Sequence, residues 1–159
     1  MITAKADVKI LAALYSILGQ GAPTTSTAGH IGDIYVDIDE KNATYGNSYL
    51  LQEITEGGDY IWERDKTEDK RIEIFINRAE RDYLSIRGRA FDTDDDGNII
   101  YPDGADIVGA EMVCYLLGAY EGRGKNSDGI GGRSNSYEKK IAGYPVSIVG
   151  QIDRYVEVG

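Results

Sequence analysis

The residues in this chain best suited to chemistry lie in one acidic stretch, Asp92-Thr-Asp94-Asp-Asp96-Gly97-Asn-Ile99-Ile-Tyr-Pro-Asp103. Set against a twelve-residue calcium loop, Asp92, Asp94 and Asp96 fall at positions one, three and five, Gly97 at six and Asp103 at twelve. A hard cation wants several carboxylate oxygens, and the glycine lets the chain turn sharply around it. Asp103 has a shorter reach than the usual glutamate, and Pro102 stiffens the exit. The same residues also read as a two-residue hairpin turn at Asp96-Gly97 with Ile99 and Tyr101 on one face. Both readings stay open. Calcium is the one cofactor the sequence leaves open, and none is required.

Other reactive types are sparse. His30 is the only histidine and sits in a glycine-flanked loop without a partner at ligand spacing. Cys114, the only cysteine, lies in an apolar helical segment, which suits a core residue and excludes an internal disulfide. The glycines after Tyr120 do not match a phosphate-binding loop. With no nucleophile, base and orienter in sight, the expectation is that this is not an enzyme.

Two helical segments hold the acidic stretch. From Thr67 to Gly88, apolar residues recur at Ile72, Phe75, Ile76, Ala79, Tyr83 and Ile86, the steps of one helical face. Thr67 is the expected cap and Gly88 the expected stop. From Ala105 to Tyr120 the chain is apolar nearly all round, as in a helix buried in its own domain or against a neighbouring subunit. A further amphipathic helix is expected over residues 3–18, with Val8, Leu11, Leu14, Tyr15 and Leu18 inward.

Between these helices the pattern changes period. Ile34, Val36 and Ile38 alternate with Asp33, Tyr35, Asp37 and Asp39, as in a half-exposed strand with Tyr35 outward. Strands over Tyr49–Thr55 and Tyr60–Arg64 complete a three-stranded antiparallel meander. After Glu121 a glycine-rich, polar stretch leads to Tyr144-Pro145 and the apolar residues Ile148, Ile152 and Tyr155, which read as a partner-docking arm. The fold class expected is α+β, mainly α: a small helical bundle with an inserted meander and an extended C-terminal arm.

Composition narrows the partners. At 159 residues with a formal charge of −10, the chain lacks the clustered cations of a nucleic-acid grip. No apolar run of about 18 residues or signal-peptide pattern is present, so no membrane contact is expected. Twelve tyrosines against two phenylalanines favour surfaces that become interfaces.

Two resemblances follow. Gly21-Ala-Pro-Thr-Thr-Ser-Thr, Gly32-Asp-Ile-Tyr-Val-Asp and Tyr60-Ile-Trp resemble a short module of tailed-phage structural proteins, often near tail fibres. The Met1–Lys9 opening, Arg71-Ile to Gly88-Arg-x-Phe91, Pro102 with the apolar helix ending Leu117-Gly-Ala-Tyr-Glu, and Tyr144-Pro-Val-x-Ile to Tyr155 occur in an order that resembles head-to-tail adaptor (connector, head-completion) proteins of long-tailed bacteriophages. That resemblance implies an adaptor helical domain at 1–19 and 66–159, with its arm at about 121–159 and residues 20–65 as an inserted β meander. It further implies a homo-oligomeric ring, a dodecamer, in the virion neck at the head–tail interface, assembled in the host cytoplasm. The ring would bind the portal protein and a stopper or tail-terminator protein, with Tyr144, Pro145, Ile148, Ile152 and Tyr155 touching portal or neighbour. DNA would pass through without sequence-specific contact. The alternative is a calcium-dependent binding module using the meander as ligand platform, with Asp92, Asp94, Asp96 and Asp103 as ligands.

Overall fold

The computed structural model describes residues 1–118, 125–127, 136–137 and 139–152. The chain divides into two compact units, Ala4–Ile74 and a second made of Met1–Thr3 with Phe75–Gly159.

The first unit opens with helix α1, Lys5–Leu11. The Asp7 carboxylate accepts the Ala4 N–H at 3.3 Å, closing the first turn. The helix ends well short of residue 18, because Ala13 takes a left-handed φ of 53° and the chain turns out. Ile17–Gly19 then forms strand β1, which pairs in parallel with β2, Ile34–Asp37. Strands β3, Ser48–Ile54, and β4, Tyr60–Arg64, continue the sheet antiparallel in the order β1-β2-β3-β4. The expected three-stranded meander is therefore a four-stranded mixed sheet. Its fourth strand was hidden in what reads as the end of an amphipathic helix.

Strand β2 also departs from the half-exposed reading. Tyr35 is 5% exposed and Asp37 is fully buried. Tyr35 packs edge-on against Trp62 and Tyr49, with centroids 5.7 and 6.3 Å away, and its hydroxyl donates to the Gly21 carbonyl at 3.0 Å. Gly19 lies so close beneath that ring that any Cβ there would collide with it. Asp37 is affordable inside because it accepts from Gly21 N, Asp39 N and the Thr44 hydroxyl at 2.8, 2.9 and 2.5 Å.

Helix α2, Lys66–Arg87, gives its first turns to this unit and the remainder to the second. Its cap is Asp65 rather than Thr67, since the Asp65 carboxylate accepts the Glu68 N–H at 3.0 Å. Gly88 ends it as expected, at φ 81° with its N–H on the Leu84 carbonyl. Ile72, Ile76, Ala79 and Tyr83 are buried along one stripe.

In the second unit, β5, Asp92–Thr93, pairs antiparallel with β6, Ile99–Ile100. Helix α3 follows at Ala105–Leu116 and buries Val108, Ala110, Met112, Val113 and Cys114. Its Gly109 is required by Ile2, whose Cγ2 would lie 2.9 Å from an added Cβ. Short strands β7, Lys125–Ser127, and β8, Ser136–Tyr137, pair with each other, as do β9, Lys140–Ile141, and β10, Tyr144–Pro145. Helix α4, Val146–Val149, completes the described chain apart from three residues. The fold is α+β, but the mainly-α bundle with an extended arm is corrected. Strands recur along both units, and the arm, where described, pairs strands and turns once as helix, with Tyr144, Pro145, Ile148 and Ile152 buried.

Candidate functional site

The second unit carries most of the residues singled out from the sequence. Tyr144, Pro145, Ile148 and Ile152 are all buried within it. The turn that delivers them puts Ala142 and Gly143 at φ 52° and 90°, the doubly left-handed geometry of a tight hairpin. The Tyr144 hydroxyl donates to Asp82 Oδ2 at 2.8 Å, and its ring lies 5.9 Å from that of Tyr115. Burial, and then the Asp82 bond, hold the Tyr144 phenol well above its ordinary pKa. Asp82 is itself flanked by Arg78 and Arg81 at 3.6 and 3.5 Å. These four apolar and aromatic residues are thus engaged with their own chain, and a partner reaches them only if the segment leaves its seat. Tyr155 lies outside the described residues.

The acidic stretch forms a hairpin whose loop is three residues, Asp95 to Gly97, rather than the two-residue turn at Asp96-Gly97. Asp94 and Asn98 close it, with the Asp94 N–H on the Asn98 carbonyl at 2.9 Å and Gly97 at φ 82°. The Asp94 carboxylate accepts from Asp96 N, Asn98 N and Asn98 Nδ2 at 3.0, 2.7 and 3.0 Å. Hydrogen bonds from the Asn98 side chain and then its backbone hold the Asp94 pKa below the ordinary value. Asp92 faces another way, toward Arg89 at 3.7 Å and Arg87 at 4.0 Å. Asp96 and Asp103 are exposed. Among the described residues no group of three or more potential ligands converges as a metal site would require. His30 is exposed, its side chain 97% open to solvent.

Beside the hairpin lies an aromatic ladder. The Phe91 ring sits 5.7 Å from Tyr83 and 4.8 Å from Tyr101, with the Arg87 guanidinium 5.6 Å above it. The Tyr101 hydroxyl donates to Glu80 Oε1 at 2.8 Å, and burial with that bond pushes its pKa up to about 12. Ile99, Ile100 and Ile107 have no such cover and stand 48%, 51% and 61% exposed.

Sequence reasoning missed the densest charge cluster, which belongs to the first unit. Lys9 is fully buried and donates to Asp69 and, at 2.6 Å, to the Gly46 carbonyl. Asp69 also accepts from Ser48 N at 3.2 Å and from Arg64 Nε and Nη2, both at 3.3 Å. Arg64 Nη2 reaches Asn47 Oδ1 at 2.8 Å, and Lys5 bridges Asn47 and Glu73. Burial lowers the Lys9 pKa, against the pull of Asp69. A signal was present. The α2 stripe, stepped back three residues from Ile72, lands on Asp69 rather than on an apolar residue.

Compared with known proteins, the chain matches no family model, no curated protein and no solved structure.

Proposed function

We propose that this chain is a structural subunit of the head-to-tail adaptor kind. Copies of it form a ring between a phage portal and a tail or stopper protein, and DNA passes through without sequence-specific contact. The order of motifs from Arg71 to Tyr144 supports this reading, as does the acidic balance of −10, which lets DNA slide without adhering.

The observation that carries it is the trio Ile99, Ile100 and Ile107. Ile99, Ile100 and Ile107, 48%, 51% and 61% exposed, each present apolar surface that a neighbouring subunit would cover. Fully burying an isoleucine is worth roughly 1.5–3 kcal/mol, so covering the half still open on each is worth about half of that. A closed ring is one assembly that covers the same residues on every copy.

Native mass spectrometry across a concentration series tests this. The wild type is expected to populate a discrete multi-subunit species, and Ile100→Glu with Ile107→Glu to leave a folded monomer. A wild-type chain that stays monomeric at its highest soluble concentration, with and without portal protein, sinks the proposal.

A further inference from the structure

The open edge of the four-stranded sheet is a second candidate for binding. Strand β4 is one of the two edges of that sheet. In its register with β3, Ile61 and Glu63 turn their amides inward, because Asp65 N bonds the Ser48 carbonyl and Thr55 N the Asp59 carbonyl on the same alternation. Tyr60, Trp62 and Arg64 therefore turn their backbone groups to the outside. The loop at 24–27 covers only the first of them: Tyr60 N donates to the Thr25 carbonyl at 2.9 Å. The same loop takes the Trp62 indole N–H on the Thr27 carbonyl at 3.0 Å, which fixes the ring, and among the described residues no group pairs with the outward Trp62 amide. Directly beside it lies an open groove of about 290 Å³ lined by Pro23, Thr24, Thr25, Tyr60, Ile61 and Trp62.

Natural sheets blunt their edges, and this one is blunted at Tyr60 and left open one pleat later. An unpaired strand edge next to a groove with apolar and aromatic walls is what an extended polypeptide adds to, its main chain pairing with the edge and alternate side chains entering the groove. The charge around it selects the partner. Glu53, Glu56, Asp59 and Glu63 are all exposed on β3, its turn and β4, while Arg64, the one cation on β4, is committed to Asp69 and Asn47. A saccharide fits less well, because the Thr24 hydroxyl is already engaged with those of Ser26 and Thr27.

We infer that the β4 edge receives an extended, cationic segment of a partner protein as a fifth strand, anchored on the Trp62 backbone and in the Trp62–Pro23 groove. This site belongs to the first unit, whereas Ile99, Ile100 and Ile107 belong to the second.

Panning a yeast-displayed library of random twelve-residue peptides against the whole protein tests it, because Trp62 is the only tryptophan and reports binding directly. Enriched peptides are expected to alternate apolar with Lys or Arg, to shift Trp62 emission and to slow hydrogen exchange at the Trp62 amide about tenfold or more. Glu53→Lys with Glu63→Lys, both at exposed positions, is expected to weaken them about tenfold without moving the unfolding midpoint. Failure to enrich any peptide overturns the inference. So do peptides that leave the Trp62 amide unprotected, binding unchanged in the charge-reversed variant, or an oligosaccharide that moves Trp62 emission where no peptide does.

Discussion

Two aspartate-bearing regions of this molecule put the same side chain to opposite uses. In the first unit Asp69 is buried, and every oxygen it has is claimed by Lys9, Arg64 or Ser48. In the second unit the Asp92–Asp96 hairpin sits in solvent, and Asp94 is spent on shaping its own loop. One carboxylate ties a helix, two strands and a second helix together across the chain; the other is satisfied by neighbours within four residues. The contrast shows that acidic density in a sequence does not mark where a carboxylate matters most. Burial does, because removing one partner from a desolvated ion pair strands the other, whereas an exposed carboxylate is exchanged for water at little cost.

Breaking the buried side should have the largest effect. Asp69→Ala leaves the Lys9 ammonium without its counter-charge and is expected to cost about 3–5 kcal/mol, read from urea unfolding. Adding Lys9→Met, which removes the stranded charge while keeping the bulk of the side chain, should recover a good part of that loss. If Asp69→Ala unfolds at the wild-type midpoint, the cluster is decoration and the comparison collapses.

A smaller, pH-dependent effect is expected from Tyr101. Its folded pKa of about 12 lies above the ordinary 10.0, so the fold favours the neutral phenol. The stability this contributes is complete below pH 10 and is lost as pH rises from 10 toward 12. Tyr101→Phe should flatten that part of the stability curve, and ultraviolet titration of the wild type should show late-ionising tyrosine. A curve unchanged by the substitution would show that Tyr101 is not the group responsible.

The smallest effect should come from the exposed hairpin. Because the Asp94 pKa is lowered in the fold, its contribution is present above the unfolded pKa and fades as pH falls through the folded one. Carbon-detected NMR titration is expected to show Asp94 ionising below the ordinary aspartate range, and Asn98→Ala should return it toward that range. The same spectra sharpen the metal question. Millimolar calcium that moves the Asp92, Asp94 and Asp96 carboxyl signals together would make the hairpin a cation loop, and signals that ignore calcium would leave it a turn.

What the sequence alone determined was what depends on near neighbours. The stripe of α2, its stop at Gly88 and the extent of β4 follow from periodicity and one glycine, and the burial of Cys114 from the apolar run around it, because helix and hairpin contacts close within a few residues. The acidic stretch was legible as either a turn or a metal loop, since both use the same aspartates and the same left-handed glycine. Tertiary structure alone decided what needed a distant partner. Ile17–Gly19 leaves helical periodicity to become a strand only because β2 lies parallel to it, each residue pairing with one eighteen positions on. Tyr35 and Asp37 turn inward only because Gly21, Thr44 and Trp62 arrive to satisfy and cover them. Lys9 can be buried only where Asp69, sixty residues on, is held in place to meet it. A side chain's type sets what its burial would cost, but only the folded chain brings the group that offsets the cost.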